Sequence, residues 1–276
     1  MKYSISLISV VFVLVVSCGT TSQSSYGQNS LQARSSFLLT ETQRTKIARK
    51  IWQNESGQTK SGLTAWNKGE EFPSLGIGHF IWYPKGVNSA FTESFPQFVK
   101  FANSRGIKPP AIAQQADAPW PNREYFHAQF ESSSMVSLRN WLASNLTLQA
   151  DFIIAKSQGS LGKILNSAPS SDRARIQANY QKVSTTPNGQ YALIDYVNFK
   201  GEGINTKERY NGKGWGLMQV LQNMKAVPSG QAASKEFSES AKRTLGQRIA
   251  NSPSSRGEKR WKSGWFNRCD TYAKPL

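Results

Sequence analysis

Cysteine and histidine are nearly absent from this sequence. Two cysteines, Cys18 and Cys269, and two histidines, His79 and His127, stand among 276 residues. A structural zinc site takes four sulfur or nitrogen ligands, so the chain is poorly supplied for a metal centre. Nothing in it calls for a cofactor. No HExxH, GxSxG or GxxxxGK[ST] string occurs, which removes the sequence signs of zinc peptidases, α/β-hydrolases and P-loop NTPases. A Ser–His–Asp site is spatial and leaves no such string, but nothing points to one. Acid is scarce as well: 17 Asp and Glu face 34 Lys and Arg, for a net charge of +17. Such a surface favours an acidic partner, whether nucleic acid, an anionic membrane or an anionic wall polymer. The basic residues are spread out and densest at Arg256 to Lys262, so there is no basic arm of the kind that marks a nucleic-acid tail. Apolar runs are short. The longest, Ile5 to Val16, is too short to cross a bilayer. No repeat of solenoid period is present.

What is there begins with aromatics. They make up 11 % of the chain, with 8 Trp, too many for a disordered protein. The length suits one large domain or two small ones. Lys2 followed by Ile5 to Val16 reads as a signal peptide. It ends in Val15-Val16-Ser17-Cys18-Gly19, and small residues before one cysteine resemble a bacterial lipobox. The resemblance implies cleavage before Cys18, lipidation of its thiol and a membrane anchor of acyl chains. Gly19 follows where an aspartate would signal inner-membrane retention, so the implied place is the cell envelope, at the periplasmic face of the outer membrane. With Cys18 lipidated, Cys269 has no partner for an intrachain disulfide and is expected to be a small buried residue. Residues 19 to 36 are rich in Ser, Thr, Gln and Gly and read as a flexible tether. The organisation is thus a signal peptide over 1–17, a lipidated cysteine with tether over 18–37, and a domain over 38–276.

Thr40 with Gln43 fits a capping box and predicts a helix to about Gln53 or Asn54. Ile47, Ile51 and Glu55 fall on one face, widened by Ala48 and Trp52. Glu55 therefore stands where the buried face meets whatever opens past the helix end. A carboxylate there is partly desolvated, which raises its pKa and keeps a proton available for general acid catalysis. A glycine-rich loop follows, with Leu63 and Trp66 packing down and an acidic pair, Glu70-Glu71. Phe72 to Tyr83 reads as a β-hairpin in which Gly76 and Gly78 permit close backbone approach. Residues 90 to 104 carry a core stripe of Phe91, Phe95, Phe98, Val99 and Ala102. A proline-rich crossover occupies 107–122. Helices are expected at about 123–131, 133–145, 148–166, 170–183 and 190–199. A glycine loop over 201–214 leads to the apolar Leu217 to Leu221. An amphipathic helix over 229–250 precedes a tail in which Trp261, Trp265 and Phe266 mix with basic residues; packing on the domain is the first expectation for it. The fold class is α+β, mainly α-helical, with a small β-hairpin.

The stretch from 46 to 84 resembles the phage-type lysozymes. In both, a helix-borne Glu precedes a hairpin with a [Thr/Ser]-x-Gly-x-Gly-His string, here Ser74-Leu75-Gly76-Ile77-Gly78-His79. The resemblance implies a lysozyme-like domain in which Glu55 is the general acid. Ser74 stands in place of the hairpin threonine, and His79 completes the string. The second carboxylate has no clean counterpart; Glu70 or Glu71 is nearest. Glu55-Ser56-Gly57 and Gly216-Leu217-Met218-Gln219-Val220 resemble strings of the lytic transglycosylases, although those strings lie close together there and far apart here. The two likenesses imply a glycosidase acting on peptidoglycan. Glu55 would protonate the glycosidic oxygen, with catalytic help from Glu70 and Ser74 and substrate binding by His79, Tyr210 and Gln219. If Glu70 or Glu71 reaches across the cleft the outcome is hydrolysis. If neither does, the muramoyl 6-hydroxyl attacks and an anhydro product forms. The implied partners are peptidoglycan strands and, through the lipid, a membrane; no nucleic acid is expected. The alternative is a non-catalytic, wall-binding scaffold lipoprotein on the same fold.

Overall fold

A computed structural model describes residues 39–87 and 91–276. The expected signal peptide, Cys18 lipidation site and tether lie outside the described residues. The described chain is mainly helical with one small antiparallel sheet. Among the described residues no helix is long and apolar enough to cross a membrane.

Helix α1 (Glu41–Ser56) starts as its sequence dictates. Thr40 Oγ1 accepts from the Gln43 amide and Gln43 Oε1 accepts from the Thr40 amide, at 3.2 and 2.8 Å, closing the capping box. Ile47, Ala48 and Ile51 are buried. Gly57 ends the helix in the left-handed conformation, at φ 60°, which glycine adopts without steric cost. The helix runs past the expected end, so Glu55 lies inside its last turn.

The sheet has three strands, β1 (Thr64–Ala65), β2 (Ser74–Leu75) and β3 (Phe80–Ile81), in that order. Ser74 pairs with Ala65 on one side and Ile81 on the other. The expected hairpin is there, but the preceding loop adds β1. Its buried Leu63 and Trp66 pull the loop into register. The turn between β2 and β3 explains its own glycines. Gln149 Oε1 accepts from the Ile77 amide at 2.9 Å, and a Cβ on Gly76 would meet that oxygen at 2.2 Å. Gly78 leaves room for Phe80 and Ile153. The Gln149 amide donates onward to the Leu142 carbonyl at 2.7 Å, so a fully buried side chain pins the hairpin to the helical body.

Helix α2 (Phe95–Ser104) buries Phe95, Phe98, Val99 and Ala102 as expected. Phe91 is instead 54 % exposed, because the helix begins only at Phe95 and leaves Phe91 outside its face. Helices α3 (Arg123–Ala128) and α4 (Ser133–Ser144) follow the crossover. The single helix expected over 148–166 is two, α5 (Leu146–Gln158) and α6 (Ser160–Ser167). Gly159 sits at the break, where its low helix propensity allows a change of direction. Ser160 is turned inward to donate to Glu202 Oε1 at 2.8 Å.

Helices α7 (Ser170–Ser184) and α8 (Pro187–Lys200) come next. Tyr191 through Val197 are all buried. A helix that is apolar all round belongs in a core, and α8 packs against α1, α5 and α7. It also meets α9 (Leu217–Asn223), α10 (Gln231–Asn251) and α11 (Lys262–Tyr272). The tail beyond Pro253 therefore packs on the domain. It forms a further helix, α11, which buries Arg268, Cys269 and Tyr272 and was not foreseen as an element. Cys269 is a free, buried cysteine.

Candidate active site

Four of the residues singled out by sequence converge. Glu55, Glu70, Ser74 and His79 line one cleft of about 230 Å³ between the end of α1 and the sheet. Asn198 and Phe199, at the end of α8, form the opposite wall. A larger groove of about 670 Å³ adjoins it, bordered by Glu70, Glu71, Lys68 and Arg123. Glu70 belongs to both, whereas Glu55 lines only the smaller one. The smaller cleft joins Glu55 to Glu70, Ser74 and His79, whereas the acids of the larger groove are Glu70, Glu71 and Glu124.

Glu55 stands at a helix C-terminus, where the backbone dipole disfavours negative charge. Two donors and a neighbouring imidazole offset that. Arg268 Nη2 donates to Glu55 Oε1 at 2.8 Å and Asn198 Nδ2 donates to the same oxygen at 3.3 Å. His79 Nδ1 lies 3.4 Å from Oε2. The expected protonation state is thereby corrected. Burial does push the Glu55 carboxyl up, but Arg268, His79 and Lys200 outweigh it and hold it below the ordinary carboxylate value. The resting protein carries Glu55 ionised near neutral pH.

Arg268 is itself held from behind. Its Nε and Nη2 donate to the two oxygens of Asp195, each at 2.8 Å. Tyr272 donates its hydroxyl to Asp195 Oδ2 at 2.6 Å. Asp195 is fully buried in the middle of α8. The guanidinium also lies over the Phe199 ring, 4.1 Å from its centroid. Glu55, Arg268, Asp195 and Tyr272 thus form a continuous buried chain of charge-assisted hydrogen bonds, the strong class of such bonds.

Glu70 differs. Its carboxylate accepts from Asn67 Nδ2 at 3.1 Å, and its backbone carbonyl accepts from Trp66 Nε1 at 2.8 Å. Burial pushes its carboxyl above the ordinary value, and the Asn67 bond and His79 only partly oppose this. Glu71, the other candidate, is exposed and borders only the larger groove. His79 has φ 47°, a left-handed backbone that costs a non-glycine residue about 1–2 kcal/mol. Its Nε2 is buried with no hydrogen-bond partner among the described residues. Strain and an orphaned polar atom together are more often found at functional sites than elsewhere.

Tyr210 and Gln219 do not join them. Gln219 Oε1 accepts from the Gly216 amide and its Nε2 donates to the Gly203 carbonyl, both at 3.0 Å. The side chain is consumed in stitching the glycine loop shut. A Cβ on Gly203 would meet Gln219 Oε1 at 2.1 Å, so the close approach demands glycine. Tyr210 donates to Glu258 Oε1 at 3.0 Å and packs on Trp215. Neither lines the cleft.

Sequence reasoning missed Arg268, Asp195 and Asn198. A signal for one of them exists. Asp195 is a lone carboxylate inside an apolar helix, and such a residue requires a buried partner. The partner's identity had no local sign. Among the described residues no group of three or more His, Cys, Asp or Glu is placed to hold a metal ion. No protein-family model, curated protein or solved structure matches the chain.

Proposed function

We propose that the protein is a glycosidase that cleaves the glycan strands of peptidoglycan, with Glu55 as its central catalytic group. The observation that carries the reading is the convergence of Glu55, Glu70, Ser74 and His79 on one cleft. A pair of carboxyl groups flanking the scissile bond is what glycoside hydrolysis needs, and their environments push their proton affinities apart, the usual sign of divided acid and base roles.

Glu55 takes the proton-donor role once a sugar fills the cleft. Covering it strips away the remaining water, which acts in the direction in which burial already pushes this carboxyl. Glu70 then faces the developing positive charge, and Ser74 positions a water for attack. His79, with Nδ1 3.4 Å from Glu55 Oε2, orients Glu55. A second reading reverses the two carboxyls. It is favoured by the resting charges, since Glu70 is the one raised and Glu55 the one ionised.

Digestion of purified murein sacculi by wild type, Glu55→Gln and Glu70→Gln across pH separates these. Loss of the alkaline limb of the pH–rate profile in the Glu70→Gln variant, with residual acid-independent activity, assigns the proton to Glu70. Loss of all turnover in Glu55→Gln, with the limb intact in Glu70→Gln, assigns it to Glu55. If no form digests but all sediment with sacculi, the wall-binding scaffold reading replaces both.

A further inference from the structure

The aromatic residues of the tail form an ordered arrangement that the cleft alone does not use. Phe199, on the cleft wall, lies 6.4 Å from Trp265, and Trp265 lies 5.7 Å from Trp261 with the rings tilted by 32°. Trp261 is 38 % exposed. Cations lie against these rings. Lys200 Nζ is 3.6 Å from the Trp265 centroid and 4.0 Å from that of Phe199. The Arg260 guanidinium is 4.7 Å over Trp261. Among the described residues neither Lys200 nor Arg260 has a carboxylate in ion-pair contact. Arg248 and Arg256, by contrast, share Glu258.

We propose that Phe199, Trp265 and Trp261, with Lys200 and Arg260, form a binding platform that extends the Glu55 cleft and holds an acid-bearing polysaccharide strand. Trp261 is the exposed ring and offers its face to the apolar C–H face of a sugar, while Phe199, faced by Lys200 and Arg268, and Trp265, faced by Lys200 and Arg248, form its backing. Arg260, exposed and with no carboxylate in ion-pair contact among the described residues, favours strands that carry carboxylates, with Lys200 lying behind it between Phe199 and Trp265. Burial, and then the nearby charges of Arg248 and Arg268, push the Lys200 ammonium well below its usual value. A lysine in that position gains from an arriving anion. Phe199 belongs to the cleft and the platform alike, so one strand would run across both. The proposal rests on the glycosidase reading only for its occupant.

The test is binding of the full chain to purified, protein-free sacculi, measured by sedimentation in the Glu55→Gln background so that no cleavage occurs. Trp261 and Arg260 are exposed, so Trp261→Ala with Arg260→Ala is expected to keep the melting temperature and weaken binding about tenfold. Trp261→Phe keeps a ring and is expected to recover most of the affinity. Unchanged affinity in the double variant overturns the platform, whatever Glu55→Gln does to digestion. So does a loss seen only with a single-stranded oligonucleotide run in parallel. A tenfold loss of sacculus binding in a protein whose wild type digests nothing supports the platform and removes the glycosidase reading.

Discussion

Removing Arg268 attacks the feature on which the rest of the cleft depends. It makes three charge-assisted bonds, each at 2.8 Å, two to Asp195 and one to Glu55. All three residues are shielded: Asp195 is fully buried and the side chains of Arg268 and Glu55 are 7 % and 14 % exposed. Arg268→Met fills the volume but leaves two carboxylates facing an apolar group. Breaking one partner out of a buried ion pair costs about 3–5 kcal/mol, a large part of the roughly 5–15 kcal/mol that holds a domain folded. In a domain of this size each kcal/mol moves the melting temperature by about 2–4 °C, so a drop on the order of 10 °C is expected at pH 7. The sign of the pH dependence is fixed by Glu55. Its folded pKa lies below its ordinary 4.5, so in wild type its contribution is present above that value and is lost as pH falls through the folded pKa. In Arg268→Met burial is opposed only by His79 and Lys200, so the Glu55 carboxyl lies higher than in wild type, and the variant is most handicapped at neutral pH and recovers relative to wild type near pH 4. Adding Asp195→Asn and Glu55→Gln removes the stranded charges and restores more than half of the loss. Thermal unfolding followed by circular dichroism at pH 7 and pH 4 measures all three proteins. A wild-type melting temperature in Arg268→Met at pH 7, or a gap that does not narrow on acidification, would refute the reasoning.

Other expectations rest on single side chains. Gln149→Leu removes the acceptor of the Ile77 amide; it is expected to cost about 1–3 kcal/mol and to speed hydrogen exchange at the 76–79 turn, and unchanged exchange there would count against the anchoring role. Gln219→Ala strands the Gly216 amide and the Gly203 carbonyl, so about 1–3 kcal/mol of stability is lost. Sacculus affinity of the folded protein stays the same, and a specific loss of affinity would restore Gln219 as a binding residue. Burial, and then the charge of Asp195, push the Cys269 thiol up to about 12. In a Cys18→Ser chain, thiol reagents should therefore label Cys269 only on unfolding, and fast labelling of the native protein would contradict its placement.

The parts of the fold legible from sequence are those whose cause is local. The capping box at Thr40 and Gln43 lies within one turn, and the structure contains both of its bonds. The glycines at 76 and 78 signalled close backbone approach, and Gln149, Phe80 and Ile153 stand where their side chains would be. Glu55 was singled out by its place on the helix face, whereas Glu70, Ser74 and His79 joined it through the resemblance to the phage-type lysozymes, and the four line one cleft. Strand β1 escaped because two residues, Thr64–Ala65, are too few to carry a period. The break at Gly159 escaped because one glycine inside an apolar pattern reads equally well as a tolerated helical residue. The deepest omission was Arg268. It lies 73 residues from Asp195 and 213 from Glu55, in a tail whose other basic residues are exposed. The same distance misled the raised pKa expected for Glu55, which followed from burial and could not include an arginine contributed by the far end of the chain. Tyr210 and Gln219 lie apart from the cleft: a glycine loop between apolar helices suggested function, while its glycines serve the close packing of Gly203, Gly216 and Gln219.

The most direct measurement is mass spectrometry of the soluble fragments released when the full chain is incubated with purified sacculi. Muropeptides with new reducing or 1,6-anhydro ends are predicted for wild type, and none for a folded Glu55→Gln variant. Undiminished release by Glu55→Gln, or no release by a wild-type protein that binds the same sacculi, would contradict the assignment of Glu55 as the catalytic group.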